Sequence, residues 1–150
     1  MKYTIEKIDT GENEVTVRYS TLTPEIDRII GILRNEKRKL VGTCNNEKLV
    51  VDVSEILYIE SVDGISFAYT DTNVIKLEYT LFQLEQLICE ISFFRCSKSM
   101  IINIDKVKSL RSLASNRIDA TMCNGEHVMI SRHYARAFRE LLRRGGSKDA

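Results

Sequence analysis

The 150-residue chain has no stretch long and apolar enough to span a membrane. Its start, Met1-Lys2-Tyr3-Thr4-Ile5-Glu6, lacks the apolar segment of a secretory leader. Four cysteines, Cys44, Cys89, Cys96 and Cys123, are scattered without a CxxC pair. That argues against a disulfide framework and for free thiols in a reducing cytoplasm. There are only two histidines, and no P-loop, dinucleotide fingerprint, HExxH or GxSxG occurs. Without those devices an enzyme reading has no site to rest on. Cys123 and His127 have a spacing that can hold a metal, but no second pair accompanies them. No metal and no cofactor is expected.

What is present suits a soluble globular chain: 43% hydrophobic and 29% charged residues, enough for one domain with a small appendage. The net charge of +1 conceals a segregation. Residues 46–94 carry two Lys/Arg against nine Asp/Glu, and residues 95–150 carry twelve against five. A change of sign this complete between adjacent segments predicts a basic surface aimed at an anionic partner.

Short alternating runs predict a mainly β architecture. Two strands, 2–8 and 14–20, and a helix from Thr23-Pro24 form an N-terminal β-β-α extension, 1–44. Thr23 suits an N-cap, Pro24 the first helical position, and Ile26, Ile29, Ile30 and Leu33 one apolar face. Basic residues in 34–39 are expected to close its last turn. Strands then flank Asn45-Asn46, Ser61–Gly64 and Asp71–Asn73. Thr80 with Gln83 has the form of a capping box opening a second helix, with Leu84, Leu87, Ile88 and Ile91 on its apolar face. Asn124-Gly125 is the strongest hairpin signal. A last helix carries Tyr134, Phe138, Leu141 and Leu142 inward, with Gly145-Gly146 as its stop.

One stretch fits no ordinary strand or loop. In FFRCSKSMIINIDKVKSL, residues 93–110, a knot of two cations and two hydroxyls without an acid interrupts strand-forming sequence. Together with ILYIESVDG before it and NGEHVMISRHYARAFRELL after it, this segment resembles the LytTR DNA-binding domain of bacterial transcription regulators. The resemblance covers about 45–143 and places the DNA-binding domain at 45–150.

The resemblance implies about ten strands in small, mostly antiparallel sheets with short helices. It also implies that loops, rather than a recognition helix, enter successive major grooves of bent double-stranded DNA. Carried over position by position, the base-reading places fall at Ser66, with Ile65 as the alternative register, at Lys98 and at Arg132. Arg95, Ser97, Ser99 and His133 are the expected accompanying contacts. Ser97 stands where the family often has His, and Met100 where it often has Tyr or Phe. Family members commonly carry a receiver domain ahead of this one, and the 44 residues before it are too few for that.

Bland roles stand beside these. Lys98 alone reads as a solvated turn lysine, and Arg132 and His133 as residues opening a surface helix. Arg95 suits phosphate contact or a brace to a buried carboxylate such as Asp105, and Asn103 suits local backbone capping. The expected function is sequence-specific binding of double-stranded DNA at tandem half-sites by a cytoplasmic homodimer, with the input partner unspecified. The alternative is a protein-interaction module whose basic surface meets an acidic partner. Single-stranded RNA ranks lower because the basic third lacks interleaved aromatics for stacking.

Overall fold

The computed structural model describes residues 1–34, 39–88 and 92–146, and the chain divides into two units, Met1–Glu36 and Lys37–Ala150. In the first unit, α1 spans Pro24–Leu33. Thr23 caps it through its hydroxyl, which accepts from the Ile26 amide at 3.3 Å. The apolar face expected for this helix is present, yet none of its residues is buried. Arg34 caps its C-terminus, and the basic turn expected beyond lies partly outside the described residues. The two expected N-terminal strands do not form: residues 1–23 contain no strand or helix, and Tyr3, Ile5 and Val15 are exposed. A lone hairpin with no surface to cover its apolar side is marginal in water.

The second unit begins with β1 (Lys39–Cys44), which pairs with β2 (Glu47–Asp52) through Asn45 and Asn46, both at positive φ. This is the mirror-type turn that suits the twist of paired strands. The boundary expected at residue 44 would cut this hairpin, so β1 belongs with the larger unit. β3 (Tyr58–Val62) and β4 (Ile65–Tyr69) are joined by Asp63-Gly64, again with both φ positive. β5 (Val74–Leu77), β6 (Phe93–Arg95) and β7 (Met100–Asn103) complete a seven-stranded antiparallel sheet, in the order β2-β1-β5-β4-β3-β7-β6. Gly42 lets β1 approach β5, because a Cβ there would meet the Lys76 carbonyl oxygen at 2.8 Å.

A second, three-stranded sheet has the order β10-β9-β8, from β8 (Val107–Leu113), β9 (Arg117–Met122) and β10 (His127–Ile130). Asn124-Gly125 turns β9 into β10, with Gly125 at φ +90°. Ten strands and three α-helices stand among the described residues.

Alternation along the strands sends neighbouring residues into two cores. Ile59, Ala68, Ile75 and Ile101 pack with Leu81, Leu84 and Ile88 of α2 (Leu81–Ile88). The capping box is made in both directions: Thr80 N donates to Gln83 Oε1 at 2.9 Å and Gln83 N to Thr80 Oγ1 at 3.1 Å. Leu87, expected inward, is exposed, and Ile91 lies outside the described residues. On the opposite face Tyr58 and Ile102 pack with Ile118, Ala120, Val128 and Phe138. Phe138 comes from α3 (Arg132–Gly146), which ends at the second glycine of the expected stop. Asn103 is buried and bridges further than local capping: its Nδ2 donates to the Ile56 carbonyl at 2.8 Å while its Oδ1 accepts from Asp105 N at 3.1 Å. No helix among the described residues is long and apolar enough to cross a membrane.

The two sheets are joined by a partly buried polar contact. The Tyr58 hydroxyl donates to the Glu126 carboxylate, and the Tyr58 ring stacks on Tyr69 with centroids 4.5 Å apart. Burial first, then Glu126, pushes the Tyr58 hydroxyl well above its ordinary value of 10.0. The folded chain thus holds this proton more tightly than the unfolded chain. Its contribution is complete below pH 10 and is lost as the pH rises beyond. Tyr58→Phe should cost about 1–2 kcal/mol at neutral pH, and its stability should fall less steeply above pH 10 than the parent's. Urea denaturation across alkaline pH measures both.

Candidate nucleic-acid interface

The register of the larger sheet gathers two loops at one edge, and a main-chain bond brings the Ser131 corner to them. Glu60 pairs with Met100, and Arg95 with Ile101. The end of β3, the start of β4 and both ends of the knot therefore lie together. Main-chain bonds then tie the loops to one another. The Ser61 amide donates to the Ser99 carbonyl at 2.7 Å, and the Ser131 amide to the Cys96 carbonyl at 2.9 Å. The knot is the middle member, closed on itself by Cys96 N donating to Met100 O at 3.1 Å.

Arg95 does not face outward. Its Nε donates to the Ser97 carbonyl at 2.8 Å, Nη2 to the Lys98 carbonyl at 2.5 Å, and Nη1 to Glu85 of α2 at 2.9 Å. Each guanidinium nitrogen thus has a partner within the fold, which favours the bracing role over the expected phosphate contact. The brace exists, but its carboxylate is Glu85. Asp105 instead accepts from the Ser92 hydroxyl at 2.6 Å. Strand alternation holds the signal for this: Arg95 lies two residues beyond buried Phe93, on the α2 face. Without a sheet order, nothing in the chain pointed to Glu85.

The other knot residues divide by exposure. Ser97 is half-buried, and its hydroxyl accepts from the Ser99 amide at 3.2 Å. Lys98 and Ser99 are exposed, with the Lys98 carbonyl held from behind by Arg95. At the third loop, Arg132 and His133 are exposed on the first turn of α3, where Tyr134 N donates to Ser131 O at 3.0 Å. The His133 ring meets Tyr134 edge-on at 5.0 Å.

Ser66 is misplaced by the sequence reading. It lies within β4, opposite Ser61 and Leu77, and is 1% exposed, with its hydroxyl lacking a hydrogen-bond partner. Ile65, one residue earlier, is exposed beside the Asp63-Gly64 turn. A one-residue change of register exchanges the faces of a strand, and here it decides which side chain reaches the surface. His127 is engaged elsewhere: its Nδ1 lies 3.1 Å from Asp119, on the outer face of the smaller sheet, while Cys123 is exposed.

With this geometry in view, the likenesses to known proteins converge. A model of the LytTr DNA-binding domain matches residues 46–143. The chain is 29% identical over 108 residues to the sensory transduction protein LytT of Bacillus cereus, covering 72% of this chain and 44% of that protein. LytT of Enterococcus faecalis is 24% identical over 110 residues, covering 73% and 46%. The chain thus spans less than half the length of these relatives. An HTH-type transcriptional regulator of Staphylococcus aureus is 23% identical over 133 residues, covering 87% of this chain and 90% of that one. The structure superposes on a LytTr DNA-binding domain from Bacillus cereus with a TM-score of 0.67 and 28% identity, covering 69% of this chain and 95% of that one.

Because Arg95 is spent on two carbonyls and Glu85, its loss should act on folding rather than on anion contact. Arg95→Gln should lower stability by roughly 1–3 kcal/mol. Glu85→Gln should cost less, about 0.5–1 kcal/mol, since the pair is partly solvated. In DNA titrations across salt, Arg95→Gln should leave the log–log slope unchanged. A slope shallower by about one would return Arg95 to the phosphates.

Proposed function

The chain belongs to the LytTR DNA-binding domain family, and from that membership we propose that it is a sequence-specific regulator of transcription that binds double-stranded DNA. Family membership marks a DNA-binding domain rather than an enzyme. In the proposed mechanism the loops at the knot edge enter successive major grooves. Lys98 and Arg132 read bases, while Ser97, Ser99 and His133 contact phosphates.

The observation that carries this reading is the pair of main-chain bonds from Ser61 and Ser131 to the knot. They give the exposed cations Lys98 and Arg132 a common rigid support. Such support limits the freedom lost when the side chains meet a base edge. Arg132 can make a bidentate contact with guanine, and Lys98 a point-charge contact with the same base type. Counterion release by the basic segment supplies affinity that carries no sequence information.

Self-association is proposed for the N-terminal unit. Ile26, Ile29, Ile30 and Leu33 line one face of α1, and none is buried. An amphipathic helix whose apolar stripe is only partly covered gains by pairing with its copy. Two protomers would then read tandem half-sites at a spacing set by the protein.

Lys98→Ala and Arg132→Ala should each cost roughly 1–3 kcal/mol on the preferred duplex and narrow its margin over a scrambled one. The parent should show a log–log salt slope of about −4 to −7. Fluorescence anisotropy on both duplexes measures these quantities. Salt-independent binding without duplex preference would instead favour an acidic protein as the partner. For the N-terminal unit, Ile29→Asp with Ile30→Asp in the full chain should shift sedimentation from dimer to monomer. A parent that sediments as a monomer at micromolar concentration would refute the self-association.

A further inference from the structure

Four arginines of α3, Arg132, Arg136, Arg139 and Arg143, recur at intervals of four, three and four residues. That spacing puts them on one stripe of the helix, beside the stripe of Ala135, Phe138 and Leu142 that packs into the core. The stripe starts at the loop corner itself, since Arg132 is the first residue of α3. It runs for about 16 Å along the helix, roughly the rise of five phosphates on one DNA strand.

A second feature extends this stripe sideways. The turn Ala114–Asn116 joins β8 to β9 with Ser115 and Asn116 both at positive φ. Leu113 pairs with Arg117, and Ile118 with Ile130, so the turn sits at the end of the smaller sheet from which Ser131 departs. Arg139 Nη1 donates to Asn116 Oδ1 at 2.5 Å, which draws the turn against the helix. Exposed Arg117 therefore stands next to the stripe, its Nε only 3.4 Å from the Ala114 carbonyl, a long contact. The single acid of α3 is Glu140. It lies 3.6 Å from Arg136 in an exposed pair one turn along, too weak to hold that arginine from a phosphate.

We propose that this arginine ridge binds the phosphodiester backbone outside the base-read steps, extending the footprint of the same duplex. The inference rests on the reading of DNA by the loops. The ridge is continuous with Arg132, and its cations are spaced to follow a strand. Its function is affinity and orientation, while the choice of sequence stays with the loops.

Arg136→Gln with Arg143→Gln in the full chain tests the assignment, leaving Arg132 intact. Three duplexes are compared: the preferred site with flanks, the same site trimmed of flanks, and a flanked scrambled sequence. On both flanked duplexes affinity should fall by the same factor, and the log–log salt slope should become shallower by about two. The trimmed duplex should be bound almost as by the parent. Lysine at both positions should restore the slope. An unchanged slope on the flanked duplexes would overturn the assignment and free the ridge for an acidic protein. Loss confined to the preferred site, or equal loss on the trimmed one, would overturn it too. If the double variant fails to fold by circular dichroism, Arg143→Gln alone decides, with an expected shift of about one. Failure of the loop reading is separately visible, as Lys98→Ala leaving the preference for the site unchanged.

Discussion

The loop edge depends on two carbonyl groups of the knot. Cys96 O accepts from the Ser131 amide and Ser99 O from the Ser61 amide, so segments far apart in the chain share one short piece of backbone. A main-chain bond fixes a loop without prescribing its side chains. The sequence at Lys98 and Arg132 can therefore vary in chemistry while the support stays constant. Arg95 completes the support from inside by taking the remaining carbonyls, Ser97 O and Lys98 O. Carbonyl groups turned inward in this way leave the side chains of Lys98 and Ser99 exposed to solvent.

The acidic and basic halves of the chain meet through specific contacts rather than by general attraction. Glu85 of the acidic segment holds Arg95 of the basic one, and Glu126 receives the Tyr58 hydroxyl across the two sheets. Arg95 is mostly buried and Glu85 about a third exposed, so their attraction is screened less than that of a surface pair. The exposed cations Lys98, Arg132, Arg136 and Arg143 remain at the surface. The net charge of +1 is therefore a poor guide to the field at that edge.

Both hydrophobic clusters share the larger sheet, and this sets the rigidity of the edge. Ile59 and Ile101 face α2, while Tyr58 and Ile102 face the smaller sheet and α3. Strands covered on both faces resist slipping, since a shift of one residue would exchange the two cores. Asn103 locks the same region by bonding the Ile56 carbonyl from within the core.

Local chemistry was legible wherever a few adjacent residues suffice. Asn45-Asn46 and Asn124-Gly125 mark hairpins, Thr23-Pro24 and Thr80 with Gln83 mark helix starts, and the knot stands out by composition. Two errors share one cause. The N-terminal strands had the right alternation but no second surface in their own unit to cover them. Ser66 had the right neighbourhood, but its side chain follows the pleat into the α2 face. Periodicity states that a strand has two faces; only the packed sheet decides which face is inside. The partner of Arg95 and the meeting of three loops at one edge depend on bonds across 10 to tens of residues, which strand order alone brings within reach. The chain by itself thus determined its turns, caps and charge pattern, because those arise between near neighbours. Tertiary structure decided which cations are free and which are consumed, because that is settled by burial and by distant hydrogen-bond partners.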